Sequence, residues 1–505
     1  METDKKKGWK SQSGFIWAVL GSVVGFANIL SFSSQCYQNG GGAFLIPYFI
    51  AYLVLGIPML FLEGLIGQKM QMPLVSAYGN SSGRIGKFFG WIAILSCLTI
   101  GSFYIVLTSY SALYTFFGAA LVIPSDSAHF FQNTFLHSTQ SIEDFGFFAW
   151  NIFITVLLIG GLVWWTLIRD ISKGIEKICS LVMPLLTFIV ILFAVITTFL
   201  PGAMIGIRHL ITPDFAALSD LRLWRDVFGQ LFFSLSLGLG IITGYSQYNK
   251  GKINLKKAMK WVAIGDFVIS FIAGWVIFAC IGYLSYAKDV PFNEIIKTNS
   301  AFEIGFIIFP KILHTFSPFL QSLMGTIFFF CIFIAGITGI FSIVESLAGN
   351  FEKEFLQSRK KAVSYSIGSI CVLSLLFCMG NGQILIGALA PMVLGLNMIL
   401  SALAEIIVFL FISKAVRDDI MWNKNGKKQL YYYSLKIVVP IILLAIFIGA
   451  IIAEMEQVDT AVYLRWLWFA IASCLSYFFI QKAEESISLR DFALDKAKSL
   501  KISKS

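Results

Sequence analysis

Between Ser11 and Leu62 the chain carries no Asp, Glu, Lys or Arg. A helix crossing the hydrocarbon core needs roughly 20 apolar residues, so this run is long enough for two crossings. Two interruptions divide it. Asn39-Gly40-Gly41-Gly42 reads as the turn between the crossings. Gly21-Ser22-Val23-Val24-Gly25-Phe26-Ala27-Asn28 falls instead where the middle of the first crossing belongs. In hydrocarbon every backbone N–H and C=O must find a partner, so an open helix at that depth is tolerated only around a cavity or a ligand. The stretch is therefore a candidate binding site.

The rest of the chain has the same character. Of its 505 residues 57% are hydrophobic and 13% charged, a balance outside that of soluble domains. Apolar segments at 13–37, 42–68, 88–118, 147–168, 175–200, 225–248, 258–286, 320–350, 362–380, 384–413, 432–453 and 461–481 predict an all-α polytopic membrane protein with twelve transmembrane helices. A single transmembrane domain, 13–481, then lies between short tails at 1–12 and 482–505. With both tails inside, 30 of the 38 Lys and Arg fall on the inner side. This positive-inside asymmetry orients the chain in a plasma (inner) membrane. Together with anionic inner-leaflet lipid it accounts for the net charge of +10 and leaves nothing for nucleic acid to bind.

No cleavable leader is expected, because the tail is charged and the apolar run behind it is too long. The eight Cys (36, 97, 179, 280, 331, 371, 378, 474) lie in or at the ends of spans, with no C-x-x-C pair. They read as small buried hydrophobes, with neither a disulfide framework nor a metal cluster. The four His (129, 137, 209, 314) fall in outer loops. No nucleophile–base constellation, phosphate loop or dinucleotide fingerprint is present, so enzymatic chemistry and an organic cofactor are not expected.

A second apolar span is broken by glycine, Gly229-Gln230-Leu231-Phe232-Phe233-Ser234-Leu235-Ser236-Leu237-Gly238-Leu239-Gly240. The interruptions fall in the first and sixth spans. That offset suits a 5+5 inverted repeat, about 13–200 and 225–413, with broken helices 1 and 6 and two further helices at 432–481. The residues themselves resemble the neurotransmitter:sodium symporters. GFIWAVLGSVVGFANIL (14–30) looks like that family's first helix, and NGGGAFLIPY (39–48) with GIPMLFLEGLIGQ (56–68) its second. RDISKGIEK (169–177), GQLFFSLSLGLG (229–240) and FIAGITGIFSIVES (333–346) resemble its second inner loop, sixth and eighth helices.

The resemblance implies two sodium sites. One would use the Val23 carbonyl, Asn28, Ser234 and Asp266 with the substrate carboxylate. The other would use carbonyls of Gly21, Val24 and Ala335 and the Thr338 hydroxyl. Where the family has a further hydroxyl, this chain has Gly339. Ordinary small-residue helix packing is the competing explanation for the same glycines and serines. Tyr48, Gln230, Ser234 and Ser270 match the family's chloride-binding set, yet Asp266 stands where Asn is usual. A fixed carboxylate repels an anion beside it, so Tyr48, Gln230, Asp266 and Ser270 read as a chloride-surrogate region and transport as chloride-independent. Asp266 as a structural carboxylate paired with a hydroxyl is the competing reading.

For the substrate, the resemblance implies a pocket of Ser22, Val23, Phe26, Ala27, Ile100, Tyr104, Phe233, Ser234, Ser236, Leu239, Gly339 and Ile343. Half-helix N-termini suit a carboxylate, to which Tyr104 would add its hydroxyl. Amine-transporting members carry Asp at the position of Gly25. Its absence implies a cargo with its own carboxylate, a neutral α-amino acid with a hydrophobic or aromatic side chain. Gly339 is expected to leave room for the larger ones. The family's outer Arg–Asp gate is replaced by Ser31 and Ala390, leaving closure to Phe233 and Tyr104. Glu63, Glu345 and Glu405 are read as structural, and Lys5 to Lys7 with Trp9 as an inner flank or latch. Gly174 and Pro184 fit a fifth helix whose inner end unwinds.

The expected function is a sodium-coupled secondary active symporter, with two sodium ions, a small amino-acid substrate and the bilayer as partners, acting as a monomer or homodimer. A proton-linked transporter and a non-transporting amino-acid sensor are the alternatives.

Overall fold

The computed structural model describes residues 8–249, 251, 253–295, 302, 304–413, 416–421, 430–457 and 459–502. Among them there are helices and no strands. Among the described residues ten helices are long and apolar enough to cross a membrane, eleven if one bent pair counts as a crossing.

The bent pair is the first predicted span. Helix α1 (Gln12–Val23) starts at Ser11, whose hydroxyl accepts the Gly14 amide at 2.9 Å. It stops where Val24 turns extended (φ −77°, ψ 110°). Helix α2 (Ala27–Gln38) resumes at 60° to it. Helices α3 (Gly42–Met70) and α4 (Leu74–Ala119) follow. The third predicted span, 88–118, is only the later part of α4, whose early turns fold back at Ser82 and Gly83 (φ 64°). A residue with a Cβ disfavours that left-handed backbone, which is why glycine sits there. Helices α5 (Trp150–Leu167) and α6 (Ile175–Thr198) match their predicted spans closely.

The sixth predicted span, 225–248, is not a helix of spanning length. It consists of α7 (Leu221–Leu235) and α8 (Ile241–Ser246). Sequence reading placed the interruption from Gly229 onward, but the chain stays helical to Leu235. The break is confined to 236–240, where Ser236, Gly238 and Gly240 all take positive φ. A Cβ on Gly238 would drive into the Met398 carbonyl, so this position needs glycine for both conformation and space. The twelve-span reading depends on treating α7 and α8 as one divided crossing.

Helices α9 (Leu255–Lys288), α10 (Pro318–Glu354), α11 (Arg359–Cys378), α12 (Gly382–Ile412), α13 (Leu430–Glu456) and α14 (Thr460–Ile502) complete the set. One continuous apolar core runs through the bundle, with α4 packed most extensively on α10. The outward faces of α5, α6, α13 and α14 carry exposed Leu, Ile, Phe and Trp, as lipid contact requires. The eight cysteines are free, six of them buried outright.

Two carboxylates brace the breaks. Glu63, fully buried on α3, accepts the Gly238 amide at 2.8 Å and so holds the interval between α7 and α8. Glu176, at the start of α6, accepts the Lys10 amide at 2.9 Å and the Ser11 amide at 3.1 Å, closing the N-terminus of α1. Trp9 adds its indole N–H to the Tyr245 carbonyl at 2.9 Å, tying the entry of α1 to α8. Glu345 is also held, by Tyr248 at 2.7 Å and by the Arg359 guanidinium. The structural role expected for Glu63 and Glu345 thus has specific partners. Neither carboxyl oxygen of the fully buried Glu405 has a hydrogen-bond partner among the described residues.

Candidate functional site

The break between α1 and α2 is built by redirecting one amide. In a continuous helix the Gly25 N–H would go to the Gly21 carbonyl. Here it goes to the Asn28 side-chain oxygen at 2.8 Å. The Gly21 carbonyl is thereby released from its helical partner. Gly21 also faces Thr338 of α10, where an added Cβ would stand 3.3 Å from the Thr338 Cβ. The Thr338 hydroxyl donates to the Ile334 and Ala335 carbonyls, each at 3.1 Å, leaving its lone pairs unspent. Val24 and Ala335 are fully buried. Oxygen-only groups of this kind suit a hard monovalent cation.

A second polar cluster surrounds Asp266, fully buried on α9. Its Oδ1 accepts from the Asn28 Nδ2 at 2.7 Å, and its Oδ2 accepts from the Ser234 hydroxyl at 2.8 Å and from the Tyr52 hydroxyl. Asn28 Nδ2 also lies 2.9 Å from the Ser234 and Ser270 hydroxyl oxygens, so its two hydrogens serve three acceptors. Ser270 in turn donates to the Asp266 carbonyl at 2.8 Å. Asn28, Ser234, Asp266 and Ser270 are thus brought together. Val23 lies on the pocket wall.

The remaining members of the expected chloride-surrogate region, Tyr48 and Gln230, do not bond to the Asp266 carboxylate itself. The Tyr48 hydroxyl reaches those of Tyr52, at 3.5 Å, and Ser234. Gln230 donates to the Ala27 carbonyl at 2.8 Å and accepts from Ser31 at 2.7 Å. It therefore bridges α7 to α2 at the position where an outer gate was expected to be missing. Tyr52 was not anticipated. It opens a π-helical turn, Tyr52–Gly56, and such turns re-aim side chains by inserting a residue into the helical ladder. Asn28 lies in another such turn, Ala27–Ser31.

The pocket lies between both breaks, the middle of α4, α10 and α12, and holds about 420 Å³ of space between atoms. Ser22, Val23, Ala27, Ile100, Tyr104, Phe233, Ser236, Leu239, Gly339 and Ile343 line it as expected. Phe26 and Ser234 do not. Phe26 packs edge-on against Tyr104 with ring centroids 5.0 Å apart, and Ser234 turns to Asp266. Gly25, Ile241, Ser342 and Leu394 also line it. Ser342 lies one turn beyond Gly339 and Thr338, so helical spacing was a usable signal for it. Leu394 enters through a π-helical turn, Pro391–Leu396, which spacing does not reveal.

The room expected at Gly339 is already taken. A Cβ there would stand 2.8 Å from the Tyr104 hydroxyl oxygen and 3.0 Å from its ring. A Cβ on Gly25 would run into the same hydroxyl. Both glycines therefore make space for the Tyr104 phenol, not for a larger cargo.

The description "Sodium:neurotransmitter symporter family" matches residues 6–126 and 119–489. An uncharacterized sodium-dependent transporter of Methanocaldococcus jannaschii is 34% identical over 449 residues, covering 88% of this chain and 90% of that protein. The sodium-dependent dopamine transporter of Bos taurus is 26% identical over 543 residues, covering 97% of this chain and 76% of that protein.

Proposed function

From the premise that the chain belongs to the sodium:neurotransmitter symporter family, a family of sodium-coupled membrane transporters and not enzymes, we propose that it carries a neutral α-amino acid with a hydrophobic or aromatic side chain. The observation that carries this reading is the placement of the Tyr104 hydroxyl against Gly25 and Gly339. Gly25 supplies no carboxylate for a carboxylate-free amine, and the space beside it is taken by the Tyr104 hydroxyl. The cargo must bring its own anion, and the Tyr104 phenol is positioned as its donor. The other pocket walls are alkyl or aromatic apart from Ser22, Ser236 and Ser342.

Two sodium ions complete the proposal. One takes Val23, Asn28, Ser234 and Asp266 with the cargo carboxylate, and the other takes Gly21, Val24, Ala335 and Thr338. A shared ligand makes coupling a reciprocal free energy between sites. The Asp266 carboxylate supplies the fixed negative charge beside the first ion, so chloride is not required. Both tails face the cytoplasm of a plasma (inner) membrane, and the broken helices occupy matching places in an inverted repeat.

Uptake of labelled amino acids into proteoliposomes tests the reading. An inward sodium gradient is expected to drive accumulation equally in chloride and gluconate media. Strict chloride dependence refutes chloride-independent transport. Flux without sodium points to proton coupling, and tight binding without flux points to a sensor.

A further inference from the structure

Tyr52 is the residue at the Asp266 cluster that the sequence did not single out, and it comes from a helix that otherwise gives nothing to that carboxylate. Asp266 is completely buried, and among the described residues no lysine, arginine or histidine forms an ion pair with it. A buried carboxylate in that situation depends wholly on hydrogen-bond donors. It has three, from Asn28, Ser234 and Tyr52. The first two are proposed sodium ligands, so their hold on the carboxylate has to readjust as an ion arrives. Tyr52 is under no such demand. It is 3% exposed, and its ring packs edge-on between Tyr48 at 5.1 Å and Phe267 at 5.5 Å. The π-helical turn that begins at Tyr52 fixes the backbone from which the phenol projects.

We propose that Tyr52 is a positioning residue for sodium, a phenol that fixes the Asp266 carboxylate in the orientation the ion needs and that takes the place of a bound anion's donor set. The proposal rests on the reading of the Asp266 cluster as a sodium site. Tyr52 is not among the residues lining the pocket, and in this proposal it acts only through Asp266. Its removal therefore changes how much sodium is needed, not the rate once sodium saturates.

The experiment compares wild type, Tyr52→Phe, Asp266→Asn and the double variant. One readout is sodium-dependent uptake in proteoliposomes. The other is the sodium-induced rise in melting temperature of the purified, cargo-free protein, which is scored on folded material alone. Tyr114→Phe serves as a control, since the buried Tyr114 hydroxyl has no hydrogen-bond partner among the described residues. Losing a hydrogen bond to a charged group corresponds to about tenfold to hundredfold in affinity. Tyr52→Phe is thus expected to raise the half-saturating sodium concentration by about that factor with an unchanged maximal rate, and Tyr114→Phe to leave it alone. In the Asp266→Asn background Tyr52→Phe is expected to add little, because both act on one interaction. A Tyr52→Phe sodium curve that overlays wild type, or a full further loss in the Asp266→Asn background, overturns the proposal while leaving the sodium site standing. A wild-type protein with no sodium response in either readout removes the sodium-site reading itself, and this proposal with it.

Discussion

Adding one methyl group at Gly339 tests how the pocket is shaped. Gly339 lies inside α10, where alanine is favoured over glycine by about 1 kcal/mol through backbone entropy. Its Cβ would meet the Tyr104 hydroxyl oxygen at 2.8 Å and the ring at 3.0 and 3.1 Å. Those contacts are too close, so the phenol must shift to admit the methyl. Forcing a methyl into a filled core costs typically about 1–3 kcal/mol, enough to cancel or reverse the helical gain. In a Tyr104→Phe background the closest of these contacts is gone while the two ring contacts remain, so the same Gly339→Ala change is expected to cost less. The size of the effect thus depends in part on one oxygen atom. Thermal unfolding of the purified protein without cargo is the assay. Gly339→Ala is expected to lower the melting temperature by up to a few degrees, and to lower it measurably less when Phe replaces Tyr104. Equal effects in both backgrounds, meaning a coupling below about 0.5 kcal/mol, refute the claim that Tyr104 fills this space.

Glu63→Ala is expected to destabilise the fold by about 1–3 kcal/mol, since the Gly238 amide is left buried without an acceptor, whereas Glu63→Gln keeps an oxygen there; indistinguishable melting curves for the two would refute the bracing role. The Arg465 guanidinium, buried between α13 and α14, meets Glu454 at 2.7 Å and the Ala388 carbonyl of α12 at 3.1 Å. Arg465→Ala alone is expected to cost about 3–5 kcal/mol, and the paired replacement Arg465→Met with Glu454→Gln far less; the same thermal measurement decides. His209, on the short helix Ala203–Ile211, has its imidazole held below the ordinary histidine range by burial. The unfolded chain therefore binds more protons at this site than the folded one, and stability is expected to fall as pH drops through about 6.5 and below. His209→Asn should flatten that part of the stability–pH curve, and an unchanged curve would exclude His209 as its source.

What could be learned without coordinates followed from local chemistry. Runs of apolar residues state where the chain meets lipid, and glycine or polar residues inside such a run state where the helix opens, because hydrocarbon enforces backbone pairing residue by residue. Both breaks were legible on that ground, as was the gathering of Asn28, Ser234, Asp266 and Ser270 around one point by way of the family's motifs. Which oxygen faces which neighbour was not. Tyr48 and Tyr52 lie one turn apart on the same helical face, and only packing selects Tyr52 for Asp266. Gln230 turned to Ala27 and Ser31, and Leu394 entered the pocket from a π-helical turn. Gly339 looked like space for cargo and proved to be space for Tyr104. The division has a physical cause. Partition between water and lipid is set by composition over a turn or more of chain. Side-chain pairing is decided within about an ångström by how helices from distant parts of the sequence rotate against one another.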